Sequence, residues 1–122
     1  MEAATAVSSF AKSLFLGEIH EELVFPYPKP DQEEQDKIRG LIAKLREIAA
    51  AKLDPHKAEE NGWIGDDVIA AMGEAGLLGL HVPEEYGGQG LSQTGYCRVF
   101  EEFAQIDPTL SCLLYTSDAA DE

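Results

Sequence analysis

Positive charge is what this chain has least of. Nine Lys and Arg stand against 23 Asp and Glu, a formal net charge of -14 over 122 residues. Binding to nucleic acid or to an anionic membrane surface depends on clustered cations, so both are excluded as expected partners. Cysteine is nearly as scarce: Cys97 and Cys112 form neither a disulfide framework nor a paired metal spacing, and a reducing compartment follows. No apolar run approaches the roughly 20 residues that span a bilayer, so no transmembrane segment is expected. The opening "MEAATAVSSF" has no Arg and no signal-type apolar core. The expectation is a bacterial-type cytoplasm, or the mitochondrial matrix if the source is eukaryotic. What remains is ordinary for one globular domain: 44% hydrophobic and 26% charged residues, without repeats or low-complexity tracts.

The apolar cluster Phe10, Leu14, Phe15 and Leu16 reads as a short helix or arm that must dock on something. "FPYPKP" at 25–30 places Pro at every second position, which removes backbone donors and makes an extended connector. Residues 1–30 are therefore arm and connector. Asp31 with Glu34 three residues on signals a helix start, and Ile38, Leu41, Ile42, Leu45 and Ile48 recur at helical spacing up to about Leu53. Asp54-Pro55 is a second start. Asp66 or Asp67 caps a third helix with Val68, Ile69 and Met72 on one face, ended by Gly76. Ser92 caps a helix whose stripe is Tyr96, Val99, Phe100, Phe103 and Ile106, with Arg98, Glu101, Glu102 and Gln105 falling mostly on the other side. Asp107-Pro108 announces one more helix, which "CLLYTSDAADE", lacking a stripe, is expected to stop after one turn.

No constellation makes a catalyst or a metal site. The loop "VPEEYGGQG" at 82–90 invites a phosphate reading. A dinucleotide fingerprint needs a further Gly where Gln93 stands, and a P-loop needs Lys and Ser or Thr where Tyr96 and Cys97 follow Gly95, so a compact turn is expected instead. His56 and Glu60 share a helical i, i+4 spacing but form a solvated pair without further ligands. The adjacent carboxylates Glu84–Glu85 and Glu101–Glu102 point about 100 degrees apart on a helix, a poor acid/base geometry. Ser92 sits in no nucleophile elbow, Cys97 reads as a small packing residue, and Tyr96, Phe100 and Phe103 read as core, the alternative being that one end of the stripe lines an apolar ligand pocket.

"GLLGLHVPEEYGGQGLS" followed by "EEFAQIDPTLS" resembles the N-terminal helical domain of the acyl-CoA dehydrogenases. "SFAKSLFLGEIHEELVFPYP" further upstream is similar to the opening segment of the very-long-chain branch, and the likeness covers about Ser9 to Ser111. The resemblance implies an all-α fold, with 31–111 an incomplete N-terminal domain truncated before its last helices. It implies a parent that uses FAD to dehydrogenate long or very-long-chain fatty acyl-CoA in β-oxidation. A glutamate in a C-terminal bundle would take the α-proton while the β-hydride passes to the flavin. The parent would be a homo-oligomer that passes electrons to an electron-transfer flavoprotein or a similar acceptor. The catalytic glutamate and most of the FAD site lie in regions that do not correspond to this chain, so the resemblance places no catalytic residue here and assigns no cofactor-binding one. The chain alone is expected to be inactive and not to retain FAD.

Residues 112–122 resemble translated read-through of a sequencing adapter, since Leu113-Leu114-Tyr115-Thr116-Ser117 is what such codons encode, and they are expected to be a non-native tail. The rival reading is a free-standing acidic helical interaction module without catalysis, presenting Phe10, Leu14 and Phe15 to a partner groove. On either reading the Ser92–Ile106 stripe and the arm are expected to lack covering neighbours, which predicts marginal stability.

Overall fold

The structure is a computed structural model that describes residues 9–120, with side chains described through Thr116. Six α-helices and two single 3-10 turns make up its regular structure, with no strand among the described residues. The helices are α1 (Phe10–Phe15), α2 (Gln32–Lys52), α3 (Pro55–Asn61), α4 (Asp66–Glu74), α5 (Gln93–Ile106) and α6 (Pro108–Ala120). The 3-10 turns are Glu21–Leu23 in the arm and Glu84–Tyr86 in the glycine loop.

Each helix that begins at a signalled cap does so through a local hydrogen bond. The Glu34 amide donates to Asp31 Oδ1 at 2.8 Å, the His56 and Lys57 amides to Asp54 Oδ1, the Gly95 amide to Ser92 Oγ at 3.1 Å, and the Thr109 amide to Asp107 Oδ1 at 2.8 Å. Such bonds satisfy first-turn donors that the helix itself leaves free. At the other end of α4, Gly76 adopts φ +75, and the Gly76 and Leu77 amides return to the Gly73 and Met72 carbonyls. The start of α4 corrects the expectation: its cap residue is Gly65, without a side-chain bond, and Asp66 and Asp67 stand in the first turn. There their charges meet the positive end of the helix.

Helix α5 is the hub, packed on α2 along one side and on α6 along another, while α4 packs on α2. Ile38, Leu41, Ile42 and Leu45 of α2, Val68 and Met72 of α4, and Val99 and Phe103 of α5 form one continuous core. Leu77 and Leu80, in the segment between α4 and the loop, close it from the side. The α5 stripe is thus covered, contrary to expectation, with Val99 and Phe103 both at 0% exposure.

The last helix also departs from the sequence reading. It runs to Ala120 instead of stopping after one turn. Leu110 and Leu114, one helical repeat apart, are buried in the core cluster that α5 shares, and this packing holds the helix where its composition gives little support. Two of its hydroxyl residues are satisfied within the helix: Ser111 Oγ donates to the Pro108 carbonyl at 2.7 Å, and Thr116 Oγ1 to that of Cys112 at 2.8 Å.

Candidate functional site

The glycine loop and the helix ends around it are held by many backbone and side-chain bonds. The loop folds back on the segment before it: the Gln89 amide donates to Gly79 O, Gly90 to Val82 O and Leu91 to Leu80 O, each at 2.9 Å. Gly87 and Gly88 donate to Glu84 O and Pro83 O. Gly88 lies so close to the opposite chain that an added Cβ would sit 2.0 Å from Val82 O. An anion cradle needs several amides aimed outward at one point. Here five consecutive amides are spent inside the loop, so the turn reading holds and the phosphate reading fails on geometry.

Two side chains of α2 fasten this loop. Lys37 Nζ donates to Glu84 and, at 3.0 Å, to the Gln89 carbonyl. The bond from Lys37 holds the Glu84 carboxyl below its ordinary pKa and raises that of Lys37 in turn. Glu34, read from sequence as half of a capping box, reaches across instead: the Ser92 amide donates to its Oε1 at 2.7 Å. It thereby caps the neighbouring helix. Gly95 makes the room, since a Cβ there would meet the Glu34 carboxylate at 2.4 Å. The sequence gives no signal for this contact, which joins residues 58 apart.

Glu102 is the functional-looking side chain that sequence reasoning misplaced. It is 5% exposed, and Arg46 Nε of α2 donates to its Oε1 at 2.6 Å, with Arg98 4.0 Å away. The hydrogen bond from Arg46 holds its carboxyl below the ordinary glutamate pKa, against the effect of burial. A signal was present: Glu102 lies three residues after Val99 and four before Ile106, inside the buried arc. Cys97, expected to pack, is exposed instead. Of the aromatic stripe, Phe103 is core, whereas Tyr96 and Phe100 are half-buried in a stack led by His81, with centroids 4.2 Å and 5.8 Å apart. His56 and Glu60 stay exposed on α3, and no group of three metal-ligating side chains exists among the described residues.

A groove of about 470 Å³ opens between the Pro-rich connector and the N-terminal halves of α2 and α5. Pro28, Pro30, Ile38 and Ile42 are its apolar lining. Lys29, Arg39 and Arg98 add three cations to the lining, a third of all the Lys and Arg in the chain. Gln35 Nε2 donates to the Pro30 carbonyl at 2.7 Å and pins the connector to α2.

Comparison with known proteins places this helical chain in a family. Residues 32–120 match the family model described as "Acyl-CoA dehydrogenase, N-terminal domain". The chain belongs to the acyl-CoA dehydrogenase family. It is 37% identical over 106 residues to the probable acyl-CoA dehydrogenase FadE10 of Mycobacterium tuberculosis, covering 87% of this chain and 16% of that protein. It is 36% identical over 107 residues to the very long-chain specific mitochondrial acyl-CoA dehydrogenase of Mus musculus, with the same coverage. The chain thus spans about a sixth of the length of these relatives. No helix among the described residues is long and apolar enough to cross a membrane.

Proposed function

We propose that the chain is the N-terminal helical part of an FAD-dependent acyl-CoA dehydrogenase acting on long or very-long-chain fatty acyl-CoA, and that it has no activity by itself. The observation that carries this reading is the likeness through the arm, connector and helical domain together, 87% of the chain, to both relatives. FAD would accept the hydride in the parent. The described residues do not fit a flavin pyrophosphate, because the one glycine loop with the right composition spends its amides internally. The flavin-holding and proton-abstracting residues are therefore assigned to other parts of the parent, as is the contact with an electron acceptor. Residues 112–122 we assign to a non-native tail on the Leu113–Ser117 resemblance, although residues 112–120 are helical and lie within the matched range.

Two measurements test this. The purified 122-residue chain, incubated with FAD and desalted, is expected to show no flavin absorbance and no acyl-CoA-dependent acceptor reduction; stoichiometric flavin would overturn the assignment of the cofactor site elsewhere. Sequencing the source DNA outward from codon 111 is expected to run into further coding sequence for a β-domain and a helical bundle. A genuine stop after Glu122 would favour the interaction module instead.

A further inference from the structure

We propose that the groove between the connector, α2 and α5 binds a small amphipathic anion, an aliphatic monocarboxylate whose charged end meets the cations there and whose chain meets the apolar lining. This goes beyond the enzymatic reading and does not depend on it. The groove is built from residues of this chain and lies at the start of α5, with α6 at the far end.

Charge makes the first argument. The chain carries 23 Asp and Glu against nine Lys and Arg, yet the residues lining this groove include three of those cations and no carboxylate. Other grooves follow the composition. The one beside Trp63 is lined by Glu59 and Asp107 without a cation, and the one beside Gly90 by Asp31, Glu33 and Glu34 with Lys37 alone. In a chain of net charge -14 most of the surface repels an anion, so a local gathering of cations decides where one is held.

The cations are available. Lys29 makes no ion pair among the described residues. Arg39 lies 3.0 Å from Asp36, and Arg98 lies 3.4 Å from Glu101 and 4.0 Å from Glu102, in each case a carboxylate of its own helix. The two arginine side chains remain 67% and 50% exposed. Exposed pairs of this kind are weak, and a guanidinium has five N–H donors, so both arginines keep donors for a further carboxylate. Thr94, half-buried in the first turn of α5, adds a hydroxyl with no protein partner among the described residues.

The lining decides what kind of anion. Pro28, Pro30, Ile38 and Ile42 would stay uncovered beneath an inorganic ion, and a volume of about 470 Å³ suits one small molecule with an apolar body. An extended acidic peptide fits less well, because Pro28 and Pro30 lack the backbone amides that would hold it. Gln35, spent on the Pro30 carbonyl, keeps the connector beside α2 without a ligand.

The test is titration of the purified chain with octanoate, followed by amide shifts in NMR, with acetate and octanol as probes of charge alone and chain alone. Octanoate is expected to give saturable shifts at Arg39, Ile42, Thr94 and Arg98, and acetate and octanol to bind there roughly tenfold or more weakly. Lys29→Gln with Arg39→Gln is expected to weaken octanoate roughly tenfold, with helicity unchanged by circular dichroism. If that variant loses helicity, Lys29→Gln alone decides, since it lies outside every helix and is expected to weaken binding about threefold. Absence of saturable shifts at these amides, shifts confined to the exposed Phe15 and Leu16, octanol binding as tightly as octanoate, or an unchanged affinity in the variants would each overturn the proposal. Shifts at the same amides that track protein concentration without octanoate would mean that a second copy fills the groove, and would be equally fatal.

Discussion

The arm and the helical body carry similar apolar residues, and the two regions treat them in opposite ways. Phe15 and Leu16 of the arm are 94% and 72% exposed, whereas Phe103 and Leu45 of the body are 0% and 1% exposed. Spacing is not the difference, since Phe10 and Leu14 are as helical in register as Leu41 and Leu45. The difference is a facing surface. In the body α2, α4, α5 and α6 offer one another apolar faces, while Phe15 and Leu16 of the arm meet none. An apolar stripe states what a segment can bury and says nothing about whether its own chain supplies the cover.

Substitution can break this contrast, and Phe103→Ala should do so most severely. Loss of a fully buried ring is expected to cost about 3–5 kcal/mol, and Phe15→Ala less than about 0.5 kcal/mol, both read from denaturant midpoints. Equal effects would mean that the arm packs on the body in solution. Next is Gly88→Ala, whose Cβ would run into the Val82 backbone. Overpacking of this kind is expected to cost about 1–3 kcal/mol and to loosen the Lys37 contacts with the loop, visible as faster amide exchange at Gln89 and Gly90.

Glu102→Gln sharpens the comparison through charge, with an expected loss of about 1–2 kcal/mol at neutral pH. Its folded pKa lies below the unfolded value. The stabilisation is therefore fully present above the ordinary glutamate pKa and is lost as pH falls from there through the lower folded value. The wild-type chain should lose stability over that acidic window more steeply than the Gln variant. Parallel profiles would remove Glu102 from the account. Within the helical body the smallest effect is expected for Ser92→Ala, about 1 kcal/mol, because Glu34 still accepts from the amide of residue 92 while only the Gly95 amide loses its partner. Adding Glu34→Ala should then cost more than the two single changes together, measured as a double-mutant cycle.

Much of this architecture was legible in the residues. The caps at Asp31, Asp54, Ser92 and Asp107, the left-handed Gly76 and the compact glycine turn all stand where sequence places them. The caps rest on contacts over two or three residues, so their determining atoms are neighbours in the chain. The family likeness was legible for the same reason, being an order of local features. The misplaced residues share the opposite property. Glu102 was set opposite the stripe because its neighbours are charged, yet Arg46, 56 residues away, draws it in. Cys97 and the persistence of α6 depend likewise on which faces of α5 other helices cover.

The sequence by itself determined the helix starts and the scarcity of positive charge, because these follow from short-range hydrogen bonds and composition, and its family resemblance implied the all-α class. Only the tertiary structure decided that Glu34 serves a neighbouring helix, that Glu102 is buried against Arg46, and that three of the few cations gather over one apolar groove. Those outcomes require α2 and α5 to lie side by side. Packing between residues some 50 to 60 apart, which no local pattern encodes, brings them there.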